Sequence, residues 1–163
     1  MKNFFRKVAF GLKPEEKAPS DPLTWAQKQV ETIPELNWKG KYIFSEKEMR
    51  EHWIKQRVTE ETTFKKKYKN DPEGLRIAEK VLEDDSGAKF WPNNEICMRH
   101  AEAVRSNNPV LAKLWYFWTN HFTISDTQRL PSFSTGAYQR EFIRANMDKT
   151  FETMAIEGTI AWP

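Results

Sequence analysis

The chain contains a single cysteine, Cys97, so no intramolecular disulfide can staple it. That count fits a reducing compartment. No apolar run approaches the ~18 residues that a membrane-spanning helix needs, so no span is expected. A signal-peptide core is missing too. Arg6 and Lys7 interrupt the opening MKNFFRKVAFGLKP, and the remaining VAFGL is too short for one, which makes the cytoplasm the default location. Charge of one sign is scarce. A net charge of +3 falls well short of the basic footprint of a nucleic-acid binder, and no nucleic-acid partner is predicted. No G-x-S-x-G nucleophile elbow occurs. Ser125 and Asp126 therefore read as loop or cap residues rather than as triad partners of His121. Internal repeats and low-complexity segments are absent from the pattern as well.

What is present is helical. Only six glycines occur, set among helix start and stop signals, and they argue for an all-α chain folded as an irregular multi-helix bundle. The length of 163 residues suits one domain with one core. Hydrophobic residues at 39% and charged residues at 30% are globular values. Aromatics reach 13%, with seven Trp, and each such side chain contributes ~1.5–3 kcal/mol when fully buried.

Phe4, Phe5, Val8 and Leu12 fall at helical spacing, which predicts a short amphipathic helix before Gly11. Ser20 or Asp21 caps a helix that starts at Pro22. Residues 33–44, with Pro34 and Gly40, read as an extended connector. Ser45 and Glu48 form a capping box for a long charged helix reaching about Asn70. Asp71-Pro72 restarts a helix with Leu75, Ala78 and Leu82 on one stripe. Residues 84–94 read as a loop, after which Asn93 or Asn94 caps a helix carrying Ile96, Cys97, His100 and Val104. Asn108-Pro109 opens the most apolar helix, with Leu111, Leu114, Trp115, Trp118 and Phe122 at core spacing; its wide apolar surface predicts a place in the middle of the bundle. RLPSFSTG reads as a loop, and a last helix is predicted from Gly136 to Glu157 with Tyr138, Phe142, Phe151, Met154 and Ala155 inward.

Several constellations carry possible chemistry. His121 beside Asn120 could be a general base with an orienting donor, yet a lone His on an aromatic helix is more often structural. Cys97 and His100 share a helix side, but zinc wants four ligands and no second cysteine exists; no metal site and no cofactor is predicted. The lysines at 65–67, near Glu60 and Glu61, read as a solvated face. Arg140 and Arg144 share a helix side, with Glu141 placed to pair with Arg144. Arg144 falls near the inward edge, so it needs a carboxylate or an anionic ligand.

Two stretches together resemble a known family. LAKLWYFWTNHFTIS is similar to a hallmark helix ending F-W-x-N-H-F-T-I/V-S, and YQREFIR to a following Y-x-R-E-x-I-R helix. FGLKPEE and LTWAQKQVETIP resemble the same family's opening. The family is the domain-of-unknown-function family 1800, whose members are mostly bacterial, often exported, longer than this chain, and without a settled activity. Residues 35–105 match only in helical character. The matched polar residues are Asn120, His121, Arg140, Glu141 and Arg144; Thr119 stands where a His is common in the family, which argues further against a metal there.

The resemblance implies an unknown function and an N-terminal portion of a longer helical protein, with 1–163 an incomplete domain ending at Ala161-Trp162-Pro163. Apolar surface is then expected to be covered by a missing C-terminal half or by a partner. The first expectation is that Asn120, His121 and Arg144 form a buried structural network, in which case His121→Ala costs about 1–3 kcal/mol. The alternatives are an enzyme completed by the missing half, with His121 as acid/base, Arg144 as anion clamp and Asn120 and Glu141 as further candidates, and a protein-interaction or scaffold module.

Overall fold

The computed structural model describes residues 2–38, 43–86, 91–124 and 129–161. Among them the chain is all-α, with no strand. No helix among them is long and apolar enough to cross a membrane.

Helix α1 spans Lys2–Val8 and stops before Gly11, whose φ of +104° is open to glycine at little cost. Helix α2, Pro22–Lys28, begins as its sequence demands. Asp21 Oδ1 accepts from the N–H groups of Leu23 and Thr24, both at 3.1 Å, and Pro22 occupies the first turn. The connector carries neither helix nor strand where it is described, at 33–38 and 43–44; Gly40 lies outside the described residues.

Helix α3, Glu46–Val58, carries the full capping box. Ser45 Oγ accepts from the Glu48 N–H at 3.2 Å, and Glu48 Oε2 accepts from the Ser45 N–H at 2.8 Å. That backbone bond, followed by the Ser45 hydroxyl, holds the Glu48 carboxyl below the usual carboxylate range. A lowered folded-state pKa means stability present above the unfolded value and lost as pH falls through the folded one. Glu48→Gln should therefore melt below the wild type at neutral pH. The gap should close as the pH is taken below the ordinary carboxylate range, as thermal melts across pH will show.

Helix α3 widens into a π-turn, Thr59–Phe64, and ends in the short α4, Lys65–Lys67. These lysines are exposed, as a solvated face requires; Lys67 lies 5.1 Å over the Tyr68 ring. The Glu61 side chain lies outside the described residues. Helix α5, Pro72–Ser86, starts at Asp71, whose Oδ1 accepts from the Gly74 N–H at 2.9 Å.

Beyond this point several expectations need correction. The 84–94 loop narrows, because α5 continues to Ser86 and α6, Trp91–Arg105, begins before Asn93 and Asn94. Pro92 belongs to the first turn of that helix, where its missing N–H costs nothing, so neither Asn caps it. Residues 87–90 lie outside the described set. Helix α7 spans Pro109–His121, and α8, Arg129–Tyr138, replaces the loop expected at RLPSFSTG. Ser125 and Asp126 lie outside the described residues.

The small residues of α8 are there for close approach rather than for punctuation. Ser134 and Ala137 are each 1% exposed, and a Cβ on Gly136 would fall 2.2 Å from Glu95 Cγ of α6. Helix α8 packs on both α3 and α6, and so takes the central place that the apolar α7 was expected to hold. It runs into a π-turn, Gln139–Ile143, and a 3₁₀ turn, Arg144–Asn146. The chain then breaks, and α9, Phe151–Ile160, restarts with Thr150 as N-cap, its Oγ1 accepting from the Thr153 N–H at 3.2 Å. The single helix expected over 136–157 is thus split.

Among the described residues the core holds two apolar clusters. Met49 of α3 meets Ala137 of α8, with Phe44 and Trp53 against them. Trp115, Tyr138, Ile143 and Ala161 form the larger part, covered by Trp38, Trp118, Phe122, Phe142 and Met147. Trp162 and Pro163 lie outside the described residues.

Candidate functional site

The π-turn at Gln139–Ile143 sets the polar centre of the fold. In such a turn the backbone bonds reach one residue further than in an α-helix, which re-aims side chains and carbonyls. The Arg144 N–H donates to the Gln139 carbonyl, and the buried Trp115 Nε1 donates to the same oxygen at 2.8 Å.

Arg140 spreads over three partners. Its Nη2 donates to Glu95 Oε1 at 2.9 Å and to the Phe44 carbonyl at 2.6 Å, while Nη1 donates to Glu141 Oε1 at 2.8 Å. The side chains of Arg140 and Glu95 are 16% and 9% exposed. Burial alone would lower the Arg140 pKa, but the Glu95 and Glu141 carboxylates outweigh it and the group is raised. Glu141 has a second task. Its Oε2 accepts from the Glu46 N–H at 3.0 Å, one of the orphan donors at the start of α3, where negative charge is also favoured. Glu141 thus pairs with Arg140 and α3 rather than with Arg144, because the wider turn rotates positions 141 and 144 apart.

Arg144 is 6% exposed, as its inward position predicts, but its partner is neither a carboxylate nor an open anion site. Nη2 donates to the Pro34 carbonyl at 2.7 Å, and the guanidinium lies 5.6 Å from the Trp115 ring centroid. Burial lowers its pKa, with Glu102 acting in the opposite direction. Arg144 and Arg140 therefore grip the connector near its two ends, at Pro34 and Phe44. A segment outside helix and sheet leaves such carbonyls without a regular backbone partner, and two guanidiniums supply one. Trp38 from the same connector packs against Trp115 with ring centroids 5.6 Å apart.

Asn120 and His121 stand elsewhere. Both are exposed, so they do not join Arg144 in a buried network. The buried stripe of α7 runs through Leu111, Trp115 and Thr119, each four residues on, and this turns the following pair outward. Thr119 tolerates burial by donating its hydroxyl to the Tyr116 carbonyl at 3.0 Å. His121 Nδ1 donates to the Phe117 carbonyl at 3.0 Å, since a carbonyl only accepts. Its ring centroid lies 4.2 Å from that of Phe117, tilted, and 5.7 Å from that of Trp118, edge-on; Trp118 in turn lies 5.8 Å from Phe151. His121→Ala should consequently shift stability by no more than about 0.5 kcal/mol, as for an ordinary surface change; a denaturant melt measures it.

The outer side of α7 is apolar as well. Leu114 is 36% and Phe117 48% exposed, and Phe151, expected inward, is 63% exposed. Leu114 and Phe117 border a groove of about 380 Å³ closed on its other side by Val8, Ala26 and Val30 of the N-terminal segment. Lys7 and Lys113 also line it, and among the described residues no acidic side chain does. Lys113 Nζ is held by the carbonyls of Arg6 and Ala9 at 2.6 and 2.9 Å.

Cys97 is exposed, and His100 is engaged by the Tyr116 hydroxyl, 2.7 Å from Nδ1. Among the described residues no group of three or more His, Cys, Asp or Glu gathers in metal-binding geometry. Glu95, Gln139, Arg99 and Tyr116 had no local signal that singles them out. Arg99 donates to Gln139 Oε1, and its guanidinium lies 5.0 Å over the Tyr116 ring. Only the proximity of α6 to α7 and α8 reveals these groups.

A family model described as a protein of unknown function, DUF1800, matches residues 3–159. The match runs through residues 35–105, where the motifs alone had shown no more than helical character. No curated protein and no solved structure matches the chain.

Proposed function

The chain belongs to the DUF1800 family, and we propose that it acts as a helical binding module for another polypeptide. The occupant of its surface is a helix with one apolar side and acidic residues flanking that side. The observation that carries this reading is the apolar groove between the N-terminal helices and α7, with its wholly basic charged lining. Phe117 continues the groove through the half-buried Trp118 to the exposed His121 and Phe151, so apolar surface extends along α7 to the start of α9. Contiguous exposed apolar surface of this kind marks docking sites, and the lysines select the charge of what docks. His121 serves as a ring contact in this reading. Arg144 and Glu141 serve indirectly, by fixing the connector and the start of α3.

Two synthetic amphipathic helices with the same Leu/Phe side, one flanked by Glu and the other by Lys, test the proposal by fluorescence anisotropy. The Glu peptide should bind at least about tenfold tighter, a difference of ~1.4 kcal/mol. That preference should weaken with salt. Phe117→Asp should abolish binding of both while leaving the melting temperature in place. Equal binding of both peptides, no binding of either, or an indifferent Phe117→Asp would overturn it.

The acid/base reading of His121 retains one supporting observation, an exposed ring anchored through Nδ1 to the Phe117 carbonyl. The anion clamp meant to accompany it is spent on Pro34.

A further inference from the structure

A second cavity lies on the other side of the N-terminal segment, between residues 10–16 and helices α6 and α7. Its volume is about 480 Å³, inside the ~300–1,000 Å³ range of small-molecule pockets. Phe10, Leu12, Pro14, Val104 and Pro109 give it mostly apolar walls. The wall of residues 10–16 is tied down. Lys13 Nζ donates to the Arg105 carbonyl and to Asn107 Oδ1, both at 3.2 Å, and the Gly11 N–H donates to the Phe5 carbonyl at 3.2 Å.

His100 and Tyr116 line this cavity as a pair, 2.7 Å apart through Nδ1 and the hydroxyl. The Tyr116 ring is fixed by the Phe10 edge at 5.5 Å and by the Arg99 guanidinium at 5.0 Å. The pair's hydrogen-bonding capacity is not used up. If the hydroxyl donates to Nδ1, then Nε2–H remains as a donor and the phenolic oxygen as an acceptor. If Nδ1–H donates instead, the hydroxyl proton and Nε2 remain. In either arrangement the phenolic oxygen keeps one position free, as acceptor in the first and as donor in the second, which a ligand hydroxyl can meet.

Charge points to a neutral ligand. Lys13 and Glu16 both line the cavity, so the charges of these two side chains cancel; the Lys13 ammonium is committed to its two oxygens, and Glu16 Oε2 accepts the Lys13 backbone N–H at 3.2 Å. Flat aromatic and proline walls favour a planar ring. We propose that this cavity binds a small, neutral, planar aromatic molecule bearing one hydroxyl, recognised by the His100–Tyr116 pair. The site is separate from the groove at Phe117, and neither proposal depends on the other.

The probes are 4-methylphenol, toluene, which lacks the hydroxyl, and benzoate, which adds a charge. Each is titrated into the isotope-labelled full chain and followed by NMR. For 4-methylphenol, saturable shifts are expected at His100, Leu12 and Val104. Tyr116→Phe should weaken 4-methylphenol about fivefold and leave toluene unchanged, the loss expected for one hydrogen bond. Val104→Trp, at an exposed position that tolerates bulk, should abolish binding of both. Circular dichroism confirms that each variant is folded. Shifts confined to Phe117 and Phe151, no saturation, or a Tyr116→Phe variant that binds 4-methylphenol normally would overturn the site. Benzoate binding as tightly as 4-methylphenol would overturn the neutral-ligand assignment.

Discussion

Arg140→Ala should lower the unfolding free energy by about 3–5 kcal/mol, the usual cost of leaving one member of a buried ion pair alone. Glu95 is the member left behind, 8% exposed on α6 and pressed against Gly136 of α8. Its carboxylate has little access to water in that position. The same change frees the Phe44 carbonyl and removes the side-chain partner of Glu141, which also caps α3. For a chain of this size the melting temperature should fall by on the order of 10 °C. A second variant separates the pair's net worth from the cost of breaking it. Replacing both members, Arg140→Met with Glu95→Met, should recover most of the loss, because two buried charges repay little more than their own desolvation. If the double variant is as unstable as Arg140→Ala, the lost bonds to Phe44 and Glu141 dominate, and the pair with Glu95 is a minor contributor.

How far the sequence foretold this centre depends on the range of each interaction. Asp21-Pro22 and Ser45-Glu48 were legible because cap and capped N–H lie within three residues, so their chemistry is written locally. The inward position of Arg144 was legible from periodicity, but its partner, Pro34, is 110 residues away and carries no side-chain signal at all. Glu95 looks like any surface glutamate until α8 brings Arg140 across 45 residues of sequence. RLPSFSTG misled for a related reason. Pro, Ser and Gly punctuate loops, but the same small residues let helices pack closely, and only the neighbouring helix decides between the two uses. In α7 the difficulty was excess. With Leu114, Trp115, Phe117 and Trp118 all apolar, periodicity could not say which side faces in, and the structure buries Trp115 while exposing Leu114 and Phe117.

Trp115→Ala should cost about 3–5 kcal/mol, the range for deleting a large buried aromatic. The residue is 2% exposed and lies where three separate parts of the chain converge. Its indole N–H reaches the Gln139 carbonyl on the π-turn, its ring meets Trp38 of the connector, and Arg144 lies against it on the way to Pro34. Trp115→Phe keeps most of the apolar volume and loses the N–H. Because Gln139 still accepts from the Arg144 backbone, no polar group is stranded, and the loss should be only about 1–2 kcal/mol. Denaturant midpoints for the two variants give that comparison. Hydrogen exchange then tests the coupling. If Trp115 is the shared floor for Trp38 and Arg144, Trp115→Ala should speed exchange of connector amides at 35–38 relative to those of α2, whereas Trp115→Phe should leave the ratio near that of the wild type. A uniform rise in exchange would mean that Trp115 contributes bulk alone, and that the arginines hold the connector without it.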